Sequence, residues 1–339
     1  MRILLVSLTL NSHGASLALL RIADLLTADG HAVSLLAMEG TRGELRAAWE
    51  ARAIPILTGV RRDAFDLTIC NTVGSATAAI AIARSCPVIW WLREAGVGAH
   101  ALERFPAWQE AFNTSARIVV QTEHARDSIY HRWLAPLPAG HVVVLPNGID
   151  VPERFERPPR TLAHRVVGVG PVGPVKRTGD LIAAAQRLDR GDLEVVVVGD
   201  AKRLDEEQQR IIAAAPERFR LTGRVPRAEA FGWIASADVL AMTSASEAQP
   251  NVLAEGAFGG TALCASDLPV LAEFGWHHGE TCLLHPVGAV EALAANLARL
   301  LDAPDQARML SDAALENARL HYGMDAFRQR LRALVGAFA

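Results

Sequence analysis

The sequence predicts an α/β protein of two parallel-sheet domains facing each other across a cleft, and three observations predict it. Apolar runs of four to six residues alternate with helix-period segments along nearly the whole chain. These runs lack polar alternation, as strands buried on both faces do. The pattern pauses once, at 146–162, in a stretch with four prolines and several charges, and then restarts.

The first half supplies strands at Ile3–Ser7, Ala32–Leu36, Leu67–Cys70, Val88–Trp91, Ile118–Gln121 and Val142–Leu145. Helices are expected at Ser16–Thr27, Ser75–Arg84, Ala101–Phe112 and Ala125–Trp133. The second half supplies Arg165–Val169, Glu194–Val198, Arg218–Leu221, Val239–Met242, Ala262–Ala265 and Thr281–Leu284, followed by a helical tail from Ala289 onward. The expected division is 1–155, 156–321 and a last helix in 322–339. In such sheets ligands bind beyond the carboxyl ends of the strands, which here line the interdomain cleft.

Composition bounds the function. At 339 residues the chain is long enough for two cores, and half of it is apolar. A net charge of −3, with acids and bases balanced in both halves, leaves no basic field for nucleic acid. Cys70, Cys86, Cys264 and Cys282 have no zinc spacing and read as reduced core thiols. The N-terminus reads as a strand rather than a signal peptide, and no apolar stretch reaches about 20 residues. The expected location is cytoplasmic, at most peripheral at the inner face of the membrane. Leu102, Phe105, Trp108 and Phe112 form the apolar face that such contact would use. Only two lysines occur, Lys176 and Lys202, a bias that suggests a GC-rich bacterial genome.

Gly168-Val169-Gly170-Pro171-Val172-Gly173 matches G-x-G-x-x-G after a strand. Pro171 argues against a dinucleotide there, because it offers no N–H to a pyrophosphate. More telling is Ser246-Glu247-Ala248-Gln249-Pro250-Asn251-Val252-Leu253-Ala254-Glu255. It follows a strand and opens a helix near Pro250, with one carboxylate before the helix and one inside it. The helix N-terminus offers unpaired N–H groups to a diphosphate, and the two carboxylates can accept from sugar and ribose hydroxyls.

This stretch resembles the E-x7-E signature of retaining glycosyltransferases of family 4, which have the GT-B fold of two Rossmann-like domains. The resemblance continues through Gly259-Gly260-Thr261-Ala262-Leu263-Cys264-Ala265-Ser266-Asp267 to Glu273, and in Leu145-Pro146-Asn147-Gly148-Ile149-Asp150. Asn11-Ser12-His13-Gly14-Ala15, Val198-Gly199-Asp200 and Leu221-Thr222-Gly223-Arg224-Val225 also fall in family order. The resemblance implies sugar contact by Glu247, ribose contact by Glu255, diphosphate contact by Lys176 and backbone contact with the nucleobase at Val225. It implies close approach to donor phosphate at Gly14, Ala15 and Gly170, and a donor-binding helix opening at Gln249, Pro250, Asn251 and Val252. The last helix would return to the first domain.

Departures are specific. Pro171 stands where the family has an arginine, with Arg177 as its substitute. Pro269-Val270 replaces a glycine pair, Ala248 a glycine, and Arg93 a histidine near the reaction centre. Arg93 therefore joins Glu247 and Lys176 as a catalytic candidate. Acceptor candidates sit after strands of the first domain: Asn71, Thr72, Arg93, Glu94 and Thr122, with His13 from the front loop.

The expected activity is metal-independent, retaining transfer, hexosyl in type, from a nucleotide-diphosphate sugar to an acceptor hydroxyl. That acceptor is a saccharide, glycolipid or small molecule. No cofactor is implied beyond the donor, and no Asp-x-Asp element suggests a metal. A nucleotide-sugar epimerase or hydrolase of the same shape, and a non-catalytic nucleotide-sugar binder, remain the alternatives.

Overall fold

The computed structural model describes residues 1–61 and 64–339. The chain forms two units, Met1–Asn147 with Asp325–Ala339, and Gly148–Met324. The division falls at Asn147 rather than 155 because the chain is already tied into the second unit there. Ile149 N–H donates to the Tyr322 carbonyl at 2.9 Å, and Arg227 Nη1 to Asp150 Oδ2 at 2.7 Å.

The first unit holds β1 (Arg2–Ser7), β2 (Ala32–Ala37), β3 (Ile56–Leu57), β4 (Leu67–Asn71), β5 (Val88–Trp91), β6 (Arg117–Val120) and β7 (Val142–Val144). Their order is β3-β2-β1-β4-β5-β6-β7, with every pairing parallel. The second unit holds β8 (His164–Val169), β9 (Leu193–Val198), β10 (Phe219–Gly223), β11 (Val239–Met242), β12 (Ala262–Ser266) and β13 (Leu283–His285). Their order is β10-β9-β8-β11-β12-β13, again all parallel. Each sheet therefore reverses its winding once, between β1 and β4 and between β8 and β11, where neighbouring loops part.

Burial follows from strand periodicity. Val196 and Val198 pack into a core with Leu240, Leu253, Leu263 and Trp276, while Val195 packs on the other face with Leu181, Leu293 and Leu297. Each such fully buried aliphatic side chain contributes about 1.5–3 kcal/mol. All four cysteines are buried free thiols, and burial pushes Cys282 up to about 12.

Some elements differ from their sequence reading. The expected helix 101–112 is three pieces, Gly96–Arg104, a 3-10 turn Pro106–Gln109 and Glu110–Thr114. Pro106 causes the break, since it disfavours helical backbone at Phe105 and supplies no N–H. Ala125–Ile129 winds as a π turn before the helix His131–Leu134. Strand β3 is new, at two residues too short to announce itself.

The last helix, Met324–Gly336, lies within the first unit from Asp325 on. Asp29, at the end of helix Gly14–Ala28, fastens it. Arg328 Nη2 donates to Asp29 Oδ1 at 2.7 Å and Arg332 Nε to Oδ2 at 2.7 Å. The Arg332 hydrogen bond foremost, helped by Arg328 against a smaller effect of burial, holds the Asp29 carboxyl well below the usual carboxylate range. A depressed pKa stabilises the fold above the unfolded value, near about 4, and that stabilisation fades as pH falls through the folded value. Asp29→Asn is expected to lower the Tm by about 2–4 °C at pH 7. The gap from wild type should narrow as pH drops below about 4 in parallel thermal melts. A constant gap across pH would show that charge is not what holds this helix.

Candidate functional site

In the second unit, loops at the carboxyl ends of β8 to β11 converge. Gly170, Gly199 and Gly223, one from each of the first three loops, have positive φ. The Gly199 N–H donates to the Gly223 carbonyl at 3.0 Å and the Gly170 N–H to the Val198 carbonyl at 2.9 Å. At Gly199 a Cβ would lie 2.4 Å from the Gly170 carbonyl oxygen, with φ at +146°, so only glycine allows this approach.

The Lys176 stem lies over Gly170, whose missing Cβ would sit 3.3 Å from Lys176 Cγ. The loop is stitched to the one after β11 by Ala245 N–H to the Val175 carbonyl at 2.7 Å and Thr243 Oγ1 to the Lys176 carbonyl at 2.9 Å. Across that seam Lys176 Nζ donates to Glu247 Oε1 at 2.7 Å. The two side chains are 31% and 11% exposed, so the pair is partly withdrawn from water yet reachable. These two residues, 71 positions apart in sequence, meet because β8 and β11 are neighbours at the winding reversal.

Helix Asn251–Gly259 opens just after Glu247, preceded by a buried Gln249 and by Pro250. No acid occupies its first turn, so its N-terminal potential is not neutralised from within. Asn251 Oδ1 is buried and has no partner among the described residues. Val252 and Val225 pack partly buried against the core, and Glu255 sits one turn inside the helix. Arg177 is placed differently from Lys176. It takes a left-handed conformation ahead of helix Thr178–Leu188, and its Nε donates to Asp180 Oδ2 at 2.7 Å. Its guanidinium is thus committed to its own helix and rests against Gly288.

In the first unit, His13 caps helix Gly14–Ala28, with Gly14 and Ala15 opening it. Asn71 Nδ2 donates to the Ala15 carbonyl at 3.1 Å, and Arg93 Nε donates to Asn71 Oδ1 at 2.6 Å. Arg93 Nη1 donates to Asn147 Oδ1 at 2.6 Å, and the guanidinium lies 4.2 Å from the Trp91 ring centre. Arg93 is buried, and burial pulls its pKa below the ordinary guanidinium value. It bridges the ends of β4 and β5 to the segment after β7. Asn147, within Leu145-Pro146-Asn147-Gly148-Ile149-Asp150, completes this bridge, a role that its motif does not announce.

Glu94 faces inward, its carboxylate accepting from the Val73 N–H at 3.0 Å and the Arg93 N–H at 3.0 Å. Burial raises its pKa, and these N–H groups oppose that rise. Thr72 is strained, with φ 78 and ψ 159 in a region nearly reserved for glycine. Its carbonyl accepts from Trp90 Nε1 at 2.9 Å, and its own hydroxyl is buried without a partner among the described residues. Thr122 Oγ1 accepts from the Ala125 N–H at 2.9 Å and caps the turn that follows β6. Among the described residues no group of three or more His, Cys, Asp or Glu could hold a metal.

Residues 163–303 match the family model "Glycosyl transferases group 1". The segment spans the loops that carry Gly170, Lys176, Val225, Glu247 and Glu255. The chain has the fold of GT-B glycosyltransferases. Anabaena HepE, solved with UDP and glucose, is 20% identical, with 99% of this chain and 100% of that chain covered and a TM-score of 0.81. Sucrose-phosphate synthase from Thermosynechococcus elongatus is 18% identical over 99% of this chain and 98% of that one, with a TM-score of 0.78. The lipopolysaccharide outer core galactosyltransferase WaaB is 15% identical over 99% and 100%, with a TM-score of 0.70. No curated protein sequence matches the chain. No helix among the described residues is long and apolar enough to cross a membrane.

Proposed function

We propose that this chain is a retaining glycosyltransferase that moves a hexosyl group from a nucleotide-diphosphate sugar to an acceptor hydroxyl without a metal. The observation that carries the reading is the Lys176–Glu247 pair, 2.7 Å apart beside the opening of helix Asn251–Gly259. It puts a cation for a diphosphate and a carboxylate for sugar hydroxyls at one seam, within a segment that matches a glycosyltransferase family. HepE, similar in fold, has been solved with UDP-glucose, which supports a nucleotide sugar as the donor.

In this reading the anomeric C–O bond to the diphosphate breaks and a bond to the acceptor oxygen forms on the same face. The acceptor proton passes to the departing phosphate oxygen. Lys176 and the helix N–H groups stabilise the charge that the leaving group gains. Glu247 orients sugar hydroxyls, Glu255 holds the ribose, and the backbone at Val225 meets the base. Gly170 keeps the loop close enough for this, and Lys176, whose stem lies over Gly170, is the principal cation, with Arg177 beside it. Acceptor recognition is assigned to Thr72, Thr122 and His13 of the first unit. Arg93, Asn71 and Glu94 join them at the same strand ends, with Arg93 Nη2 buried and without a partner among the described residues. The setting is the cytoplasm or the inner membrane face.

Thermal stabilisation by UDP-, GDP-, ADP- and TDP-sugars, followed by slow nucleotide release, tests the proposal. Stabilisation by sugars of one base with slow release of that nucleotide is the expected result. Stabilisation with no release under any acceptor would favour a non-catalytic nucleotide-sugar binder, the reading that Pro171 motivates. Stabilisation by none would sink the donor site.

A further inference from the structure

We infer that Glu247 competes with the donor diphosphate for Lys176, and that this competition lets the protein hold a nucleotide sugar while disfavouring the spent nucleotide. The inference rests on the donor reading above and adds a discrimination that the reading does not contain.

Three observations lead to it. Lys176 Nζ is bonded to Glu247 Oε1 at 2.7 Å, so the ammonium meant for a diphosphate is already neutralised by a carboxylate. The two are on loops joined by the Ala245 N–H to the Val175 carbonyl and by the Thr243 hydroxyl to the Lys176 carbonyl, so neither can swing far from the other. Glu247 is only 11% exposed, so water replaces a lost partner poorly at that carboxylate.

A diphosphate that takes Lys176 must therefore do so beside the negative charge of Glu247. If a sugar is attached, its hydroxyls donate to the Glu247 carboxylate and replace the hydrogen bond that Lys176 gave up. If no sugar is attached, the carboxylate faces phosphate oxygens with no donor between them, and like charges repel. The same residue that orients the sugar thus weakens binding of the product nucleotide and speeds its departure. A neutral residue at 247 would lose this selectivity even if it left the site open.

Isothermal titration with UDP and with UDP-glucose, no acceptor present, tests this. Glu247→Gln keeps size and removes charge. It is expected to tighten UDP about twofold to fivefold, the scale of a partly exposed ion pair. UDP-glucose should change less, so the preference for sugar nucleotide over bare nucleotide shrinks. In a Lys176→Gln background the same substitution should tighten UDP less than it does with Lys176 present, because the competition for a shared cation is gone and only the repulsion remains. Glu247→Asp keeps the charge and should not tighten UDP. Thermal melts of each variant without nucleotide check folding, and Glu247→Asp supplies the comparison if Glu247→Gln does not fold. Unchanged or weaker UDP binding by Glu247→Gln, with Lys176→Gln still weakening it, overturns the competition and leaves the donor site standing. UDP affinity that is indifferent to Lys176→Gln, or absent when GDP-, ADP- and TDP-sugars also fail to stabilise the protein, overturns the donor reading itself.

Discussion

Replacing Lys176 by alanine is expected to lower sugar transfer by about two to three orders of magnitude, the scale seen when one group stabilising a departing anion is removed. The expectation follows from position and isolation. Lys176 is one of only two lysines in the chain, and the other, Lys202, is almost fully exposed. The nearest sequence substitute, Arg177, is tied to Asp180 by two hydrogen bonds of 2.7 and 3.1 Å. Pro171 supplies neither a cation nor an N–H. Few groups remain to share the charge of the leaving diphosphate, so the loss should fall on kcat as well as on donor affinity. Lys176→Arg is expected to recover part of the rate, since a guanidinium keeps the charge but not the compact geometry. Steady-state rates with a responsive nucleotide sugar check this. Transfer within about threefold of wild type in Lys176→Ala would remove this residue from the chemistry.

Much of this arrangement was legible because α/β sheets write themselves as apolar runs. β9 is Leu193, one charged position at Glu194 and then four valines, and its burial on both faces is what such a run demands. Local rules also marked where the reading stops. Pro106 breaks the expected helix 101–112 with a signal that lay in the sequence itself. Arg177 and Asp180 are three apart, a spacing that pairs charges on a helix, and their ion pair follows from it. What sequence could not show were contacts created by strand order. Lys176 and Glu247 were each singled out by motif, yet their mutual bond exists only because β8 lies beside β11. Arg93 and Asn147 are 54 residues apart and meet for a similar reason, after strands of one sheet. The strain at Thr72 has no sequence signal, because threonine is an ordinary strand-end residue and nothing local announces a positive φ.

Replacing Arg165 by methionine is expected to destabilise the second unit by about 3–5 kcal/mol, at the upper end of what core truncations cost. Arg165 and Glu194 are register partners on β8 and β9, and their side chains are 0% and 2% exposed. Arg165 Nε donates to Glu194 Oε2 at 2.7 Å, and its remaining N–H groups reach the Pro158 and Pro159 carbonyls and Ser236 Oγ. One guanidinium thus neutralises a buried carboxylate and fastens the segment that leads into the sheet. The Trp233 ring, 5.0 Å from its carbon centre, covers one side. Removing the arginine leaves Glu194 with Arg220, at 3.4 Å and half exposed, as its nearest cation. It also removes the donors that Arg165 gives to the Pro158 and Pro159 carbonyls. Thermal unfolding should show a Tm lower by roughly 10 °C. The second change decides the cause. Arg165→Met with Glu194→Leu removes both charges and should recover more than half of the loss, because a buried pair is costly to break and cheap to replace as a whole. If the double variant is no better than the single one, the stability comes from the carbonyl and hydroxyl bonds of Arg165, and the ion pair itself contributes little.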